Sequence, residues 1–465
     1  MNRLWQALLK SGILSWTNLL LIPLGVALYA MYGRGLAAKT SWDIFWFIRL
    51  ALAQSAVYLV AAWLVTRASA SSRSTLVVVI IFAALFRLSL LYTPPFLSDD
   101  LYRYIWDGRV QAAGINPYRY VPADEKLKSL RDEAIYPKIN RRDFARTIYP
   151  PLSQGIFFGT TRISESVTWM KATMVGFEAV TLLALLGLLA SMGMPLQRVL
   201  VYAWHPLIVW EIAGSGHLDA VAITFVFIAL LARRHNREAA VGVALGCAVL
   251  VKLIPLALFP ALYKRWGWKM PAAFALTIAV AYLPYLSVGW RGVLGYLPGY
   301  TEEEGLHSGS RFFLLALARR AFGESFVPSA VYMIFAGLVL SVLALWCLFR
   351  REDSTRSYLV RALVLASAFT ILLSPRYEWY FAWIVPFLCF VPFAPLFALT
   401  ASAFLLYLFW FGEKPYQALI VNTFLYLPFA LLSALALLRS RAALAKIQSE
   451  PAGAQQQQQR VLPHE

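Results

Sequence analysis

Long apolar runs joined by short basic connections make up most of the chain. Runs near 13–32, 44–66 and 75–93 each approach the roughly 20 residues that a helix needs to cross hydrocarbon. Further runs lie near 166–190, 197–213, 217–233, 268–288, 327–349, 357–374, 378–393, 396–411 and 416–438. The segment 238–263 is equally apolar but is interrupted at Lys252-Leu253-Ile254-Pro255. Proline removes a helix hydrogen bond there and the ammonium seeks water, so two short passes are expected instead of one span. The pattern predicts an all-α, polytopic membrane protein of roughly 13–14 passes with a long loop, 94–165, after the third.

Composition agrees: 60% of the 465 residues are hydrophobic and only 14% charged, more apolar surface than a soluble domain can hide. The formal charge of +18 would point to nucleic acid in a soluble protein. Here the cations gather in short loops, which is how membrane orientation is set, so no nucleic-acid partner is expected. Arg67, Arg73, Arg233, Arg234, Arg237, Arg350, Arg351, Arg356, Arg439 and Arg441 fall on the cytoplasmic side if both termini do. Loops 94–165 and 289–326 are then extracytoplasmic. Arg3 and Lys10 ahead of the first run read as an uncleaved signal anchor in the inner (plasma) membrane. Residues 1–442 form one membrane domain, and 443–465, with glutamines at 455–459, read as a disordered cytoplasmic tail. Cys247, Cys347 and Cys389 lie in apolar stretches without metal-ligand spacing, so they imply packing and no disulfide framework.

Polar chemistry is concentrated in 94–120, PPFLSDDLYRYIWDGRVQAAGINPYRY. Asp100, Arg103, Tyr104, Asp107 and Gln111 recur at spacings of three and four, so a helix capped near Ser98 puts them on one face. Gly114 and Asn116-Pro117 end it. Carboxylates beside guanidiniums suit a site that deprotonates a hydroxyl and handles a phosphate. An interfacial helix whose charges merely meet head groups is the plainer alternative.

Other motifs share that outer face. Tyr149-Pro150-Pro151 leads a turn to Ser153 and Gln154, and Gly214-Ser215-Gly216-His217-Leu218-Asp219 connects two spans. One histidine and one aspartate make no zinc site. They either cap a helix or orient a phosphate. Lys252 in an apolar run is a functional residue or a snorkelling one. Glu302–Glu304 reads as a solvated acidic face, and Arg311 beyond it suits a phosphate. Arg376, between aromatics in Ser374-Pro375-Arg376-Tyr377-Glu378-Trp379-Tyr380, offers a planar fork for a phosphate head group.

These residues describe a membrane enzyme acting on a lipid-linked donor at the outer leaflet, since no Gly-rich nucleotide loop is present. The blocks SDDLYRYIWDGRVQAAGINPYRY, IYPPL, GHLDA, VKLIPLALFP and SPRYEWYFAWIVPF resemble the GT-C glycosyltransferases. The likeness is closest to bacterial polyprenyl-phosphomannose-dependent mannosyltransferases and weaker to the eukaryotic mannosyltransferase of glycosylphosphatidylinositol anchors. Where that enzyme carries Asp-x-Asp, this chain has adjacent Asp99 and Asp100.

The resemblance implies inverting transfer of a sugar, mannose first among candidates, from a polyprenyl phosphate to a glycan or lipid acceptor. Asp99, or failing that Asp100, serves as base; Lys252, Arg376 and Arg311 hold the donor phosphate. Arg103, Tyr104, Asp107, Tyr149, Gln154, His217, Asp219, Tyr377 and Glu378 complete the substrate site. Some relatives use a divalent ion, but no ligand set is evident here, and a metal-independent enzyme without cofactor is expected. The alternatives are a transporter or flippase of lipid or sugar, and a transferase using a diphosphate-linked donor; a transporter would place its broken helices in paired repeats, which are not found.

Overall fold

The computed structural model describes residues 15–35, 44–95, 97–305, 308–309, 311–323, 327–350, 356–411 and 415–449. The expected anchor cations Arg3 and Lys10 lie outside them, as does most of the expected tail; the last helix, Pro415–Ser449, runs into its first residues. Among the described residues every regular element is helical. Seven of the described helices are long and apolar enough to cross a membrane: Trp16–Gly35, Ile44–Thr66, Arg73–Leu91, Val167–Ser191, Lys269–Gly292, Ser329–Phe349 and Leu419–Ser440. The protein is thus an all-α, multi-pass membrane protein.

The remaining apolar runs are shorter or broken. Glu238–Val249 is a helix that stops ahead of Lys252, and Ile254–Leu258 restarts as a tight 3-10 turn with Pro255 near its start. Run 197–213 is a chain of short turns ending in a π-helix, Val209–Gly214, and run 378–393 is two 3-10 stretches with prolines and aromatics. These broken segments lie deepest in the protein. Residues 199–223 are buried almost without exception. Irregular backbone is tolerated at membrane depth where protein surrounds it.

Polar pairs tie the first spans to this centre. Arg87 donates to Glu178 and to the carbonyl of Ala203, joining Arg73–Leu91 to Val167–Ser191. Lys171, fully buried, donates to the carbonyls of Leu90 and Thr93 at 2.7 Å each. It satisfies carbonyls left open at a helix C-terminus and so fixes the point where the chain leaves the third span.

Beyond that point two amphipathic helices, Asp100–Ala112 and Pro151–Ile163, pack side by side. Gly108 is required at their crossing: a Cβ there would sit 2.5 Å from the Phe157 carbonyl oxygen. The first helix starts one residue later than its cap pattern implied. Asp99 is its N-cap residue without a side-chain cap, while the Ser98 hydroxyl accepts from the Asp100 N–H at 3.3 Å.

Candidate active site

The first turn of Asp100–Ala112 opens on a cavity of about 770 Å³. Five sequence blocks wall it: 95–102, 140–150, 251–254, 297–303 and 377–380. Of the expected site residues, Asp99, Asp100, Tyr149, Lys252 and Tyr377 line it. Asn140 crosslinks the two aspartates, its amide donating at 2.9 Å to Asp99 and 2.7 Å to Asp100. Two donors on one amide thereby hold apart two carboxylates that would otherwise repel. Asp99 is exposed, whereas the Asp100 side chain keeps 22% of its surface.

Two cations share the cavity with these carboxylates. Lys252 donates to Asp219 at 2.5 Å and lies 5.3 Å over the Tyr380 ring. Asp219 also accepts from the Trp383 indole at 2.8 Å, so it orients Lys252 from beneath the cavity. Arg141 donates to Glu303 at 2.7 Å, and that glutamate also accepts from the Tyr296 hydroxyl. The pairing with Glu303 outweighs partial burial and holds the Arg141 guanidinium above its ordinary range. Arg141 sits at a φ of +51°, a left-handed turn that swings its side chain toward the cavity wall.

His217 is buried behind Asp100, its Nδ1 4.0 Å from the carboxylate and its ring stacked 4.1 Å from Trp379. Burial pushes the imidazole down to about 4, although Asp100 and Asp219 pull the other way. It is neutral at physiological pH.

Several expected residues lie elsewhere. Arg103 and Asp107 pair at 2.8 Å and are sealed within the protein; Asp107 also accepts from Gln154, and Gln154 from Gln111. Arg103 reaches back to the Ala145 carbonyl, so this network holds the loop. The Tyr104 ring packs between Tyr149 and Phe157. Arg311 pairs with Glu304 at 2.9 Å, and neither it nor Arg376, which lies 5.6 Å over the Tyr377 ring, lines the cavity. Glu378 is buried near Tyr407.

Asn140, Arg141, Glu303 and Trp379 were missed as site residues. Asn140-Arg141-Arg142 is a polar cluster inside the long loop, and its signal was its position. Glu303 was read as solvated because its partner is 162 positions away. Among the described residues no group of three or more His, Cys, Asp or Glu is arranged to hold a metal ion.

Residues 13–268, more than half of the chain, match the model of a family described as alpha-(1->6)-mannopyranosyltransferase, N-terminal domain. No curated protein and no solved structure matches.

Proposed function

This chain belongs to the alpha-(1->6)-mannopyranosyltransferase family and is a membrane mannosyltransferase, and we propose that it moves mannose from a polyprenyl phosphate to a glycan hydroxyl, with inversion, at the outer face of the membrane. The family description supports an α-(1→6) linkage in the product. One observation carries the donor assignment. Asp99, Asp100, Lys252 and Arg141 line one cavity, and the exposed Leu253 and its neighbour Ile254 line it too. Cations for a phosphate and apolar side chains for its lipid are thus joined in one space.

Asp100 is the better placed base, being half-buried and backed by His217. It takes the proton as the acceptor O–H bond breaks and the acceptor oxygen bonds to the anomeric carbon. The anomeric C–O bond opens on the opposite face and its electron pair leaves with the phosphate. Inversion converts a β-linked donor into an α-mannoside. Lys252 and Arg141 meet the charge that grows on the leaving phosphate, taking the place of a general acid. Each already carries a carboxylate partner, Asp219 and Glu303, so the phosphate enters a site whose cations are preoriented. Asn140 keeps both aspartates aimed at the cavity. Arg311 and Arg376, expected to hold phosphate, act from outside it.

The outer-face assignment is supported by the short connections: Arg67, Arg73, Arg233, Arg234, Arg237, Arg350 and Arg356 lie at the span ends away from 94–165 and 289–326, the two longer loops that supply three of the five cavity walls. The test is transfer from radiolabelled polyprenyl-phosphate mannose to a short α-mannan by purified protein. Label entering a product that an α-(1→6)-specific mannosidase releases is expected. Label arriving only from a nucleotide sugar would overturn the donor, and labelling of Ser308→Cys only after permeabilisation would overturn the outer-face assignment.

A further inference from the structure

The walls of the cavity are not alike, and the reaction proposed above uses only part of their chemistry. The wall 251–254 is apolar beyond Lys252. Leu253 and Leu256 are exposed, and Ile254 also lines a narrow apolar crevice with Pro255, Leu258, Ala366, Phe369 and Phe387. A polyprenyl chain finds apolar partners there. The wall 140–150 differs. Phe144 lines the cavity with 59% of its surface exposed, yet its neighbours in the chain are charges that meet water: Arg142 pairs with Asp143, whose side chain is 72% exposed, and Arg146 is exposed too. A lipid tail laid along this wall would strip water from those charges, so the ring suits a ligand that is itself hydrated. One turn of chain builds the wall. The Ala145 N–H donates to the carbonyl of left-handed Arg141 at 2.9 Å, and the turn carries both Asn140, bonded to the two aspartates, and Phe144. The Phe144 and Tyr296 rings meet edge-on, 5.7 Å apart at 69°, which leaves at least one face of Phe144 uncovered by Tyr296. Tyr296 is itself fixed, its N–H donating to the Thr147 carbonyl at 3.2 Å and its hydroxyl to Glu303 at 2.8 Å. A ring fixed before its ligand arrives loses little freedom on binding.

Tyr102 and Tyr377 supply what a ring face lacks. Both line the cavity, and neither hydroxyl has a hydrogen-bond partner among the described residues. The Lys138 ammonium lies 5.1 Å over the Tyr102 ring and Trp379 stacks 4.3 Å from Tyr377, so each tyrosine offers its hydroxyl more than its face. We propose that Phe144, Tyr102 and Tyr377 form a subsite for the acceptor glycan, an inference that rests on the acceptor being a mannan and on Asp100 being the base. A pyranose presents patches of C–H bonds on its faces and hydroxyls around its rim. The C–H bonds carry partial positive charge and seek the negative face of an aromatic ring, which Phe144 provides. The rim hydroxyls meet the two phenolic hydroxyls, each able to donate and to accept. Transfer to a 6-hydroxyl sets the attacking oxygen one carbon outside the acceptor ring. That ring therefore stays outside the carboxylates, held by Tyr102 and Tyr377, and the preceding sugar of the chain stacks on Phe144. Phe144 is thus a specificity residue that makes affinity depend on acceptor length, without touching the reacting atoms.

The experiment measures transfer from polyprenyl-phosphate mannose to methyl α-mannoside and to linear α-(1→6)-mannotetraose by purified wild type, Phe144→Ala and Phe144→Trp. The wild-type acceptor KM is expected to be about 10-fold lower for the tetrasaccharide, the worth of one aromatic contact. Phe144→Ala should bring that ratio to about 1 with donor KM within about twofold, and Phe144→Trp should keep the ratio. A wild type indifferent to acceptor length, a Phe144→Ala enzyme that keeps the ratio, or one whose donor KM rises as much as its acceptor KM overturns the subsite. Titration calorimetry separates binding from the reaction: mannotetraose should bind Asp100→Asn about 10-fold more tightly than Asp100→Asn/Phe144→Ala. That difference, beside a wild type that transfers nothing to mannosides, would sink the reaction and keep the subsite. Equal affinities would sink the subsite whatever the enzyme transfers.

Discussion

Asp100 and Asp107 lie two turns apart on one helix face, yet they live in different worlds. Asp100 opens on the cavity with a fifth of its side chain exposed, bonded to Asn140 and backed by His217. Asp107 is enclosed, bonded to Arg103 and to Gln154, and almost free of solvent. The guanidiniums divide the same way. Arg141 lines the cavity wall and pairs with a residue of a different loop; Arg103 is sealed against its own helix. Identical functional groups therefore do opposite things, and burial decides which. A carboxylate that must gain a proton during turnover has to sit where charge can change. One that braces a loop has to sit where it cannot.

The sharpest way to break that comparison is to neutralise each carboxylate. Asp100→Asn should lower kcat by at least about 10³-fold, in the range of a lost general base, with the melting temperature in detergent unchanged. Asp99→Asn should lose no more than about 10-fold, since Asp99 is the more exposed of the two. A reversal of these two losses would move the base to Asp99. Asp107→Ala should do the converse. It strands Arg103 without its carboxylate inside the protein, a loss of about 3–5 kcal/mol, read as a drop in unfolding midpoint, while the fraction that stays folded keeps its donor KM. If Asp107→Ala were stable and inactive, the division between site and brace would collapse.

The boundary between the two environments runs through His217, and pH tests it. Its imidazole is held near 4, against an ordinary 6.5, because burial disfavours the charged form. Between those values the unfolded chain binds a proton that the folded one refuses. The contribution to stability is therefore complete above about pH 6.5 and is lost as pH falls toward 4, a swing of about 3 kcal/mol. Melting of wild type between pH 7.5 and 5 should fall more steeply than that of His217→Gln. Equal slopes would mean that water from the cavity reaches the ring.

Much of the fold was legible because membrane spans announce themselves by length. The run predicted at 44–66 is the helix Ile44–Thr66, and the break at Lys252-Pro255 is where Glu238–Val249 gives way to a 3-10 turn. Runs 197–213 and 378–393 read as spans because apolar composition carries no record of backbone winding. Only their prolines, Pro206, Pro386 and Pro392, hinted at short turns. In the site, periodicity placed Asp100 and Asp107 on one face but could not say where along that face the cavity ends. Asn140, Arg141 and Glu303 stayed hidden for another reason. Their meaning lies in contacts across 40 to 162 residues, and no local pattern encodes such a contact.

The smallest effect is expected at Arg141, and it refines the comparison rather than breaking it. If this guanidinium meets the donor phosphate, Arg141→Ala should raise the donor KM about 10-fold, the loss of one charge-assisted contact of about 1.4 kcal/mol. The kcat should fall less, because Lys252 remains. Arg141→Lys keeps the charge and loses the planar fork, so it should recover only part of the affinity. Glu303→Gln supplies the opposite sign: freeing Arg141 from its carboxylate should lower donor KM, since the phosphate no longer competes with Glu303. Arg103→Lys is the matched control. Its guanidinium binds Asp107 and the Ala145 carbonyl, so its loss should appear in the unfolding midpoint and leave donor KM where it was. Should Arg141→Ala and Arg103→Lys instead both reduce stability and spare KM, Arg141 would belong with the braces, and Lys252 alone would face the phosphate.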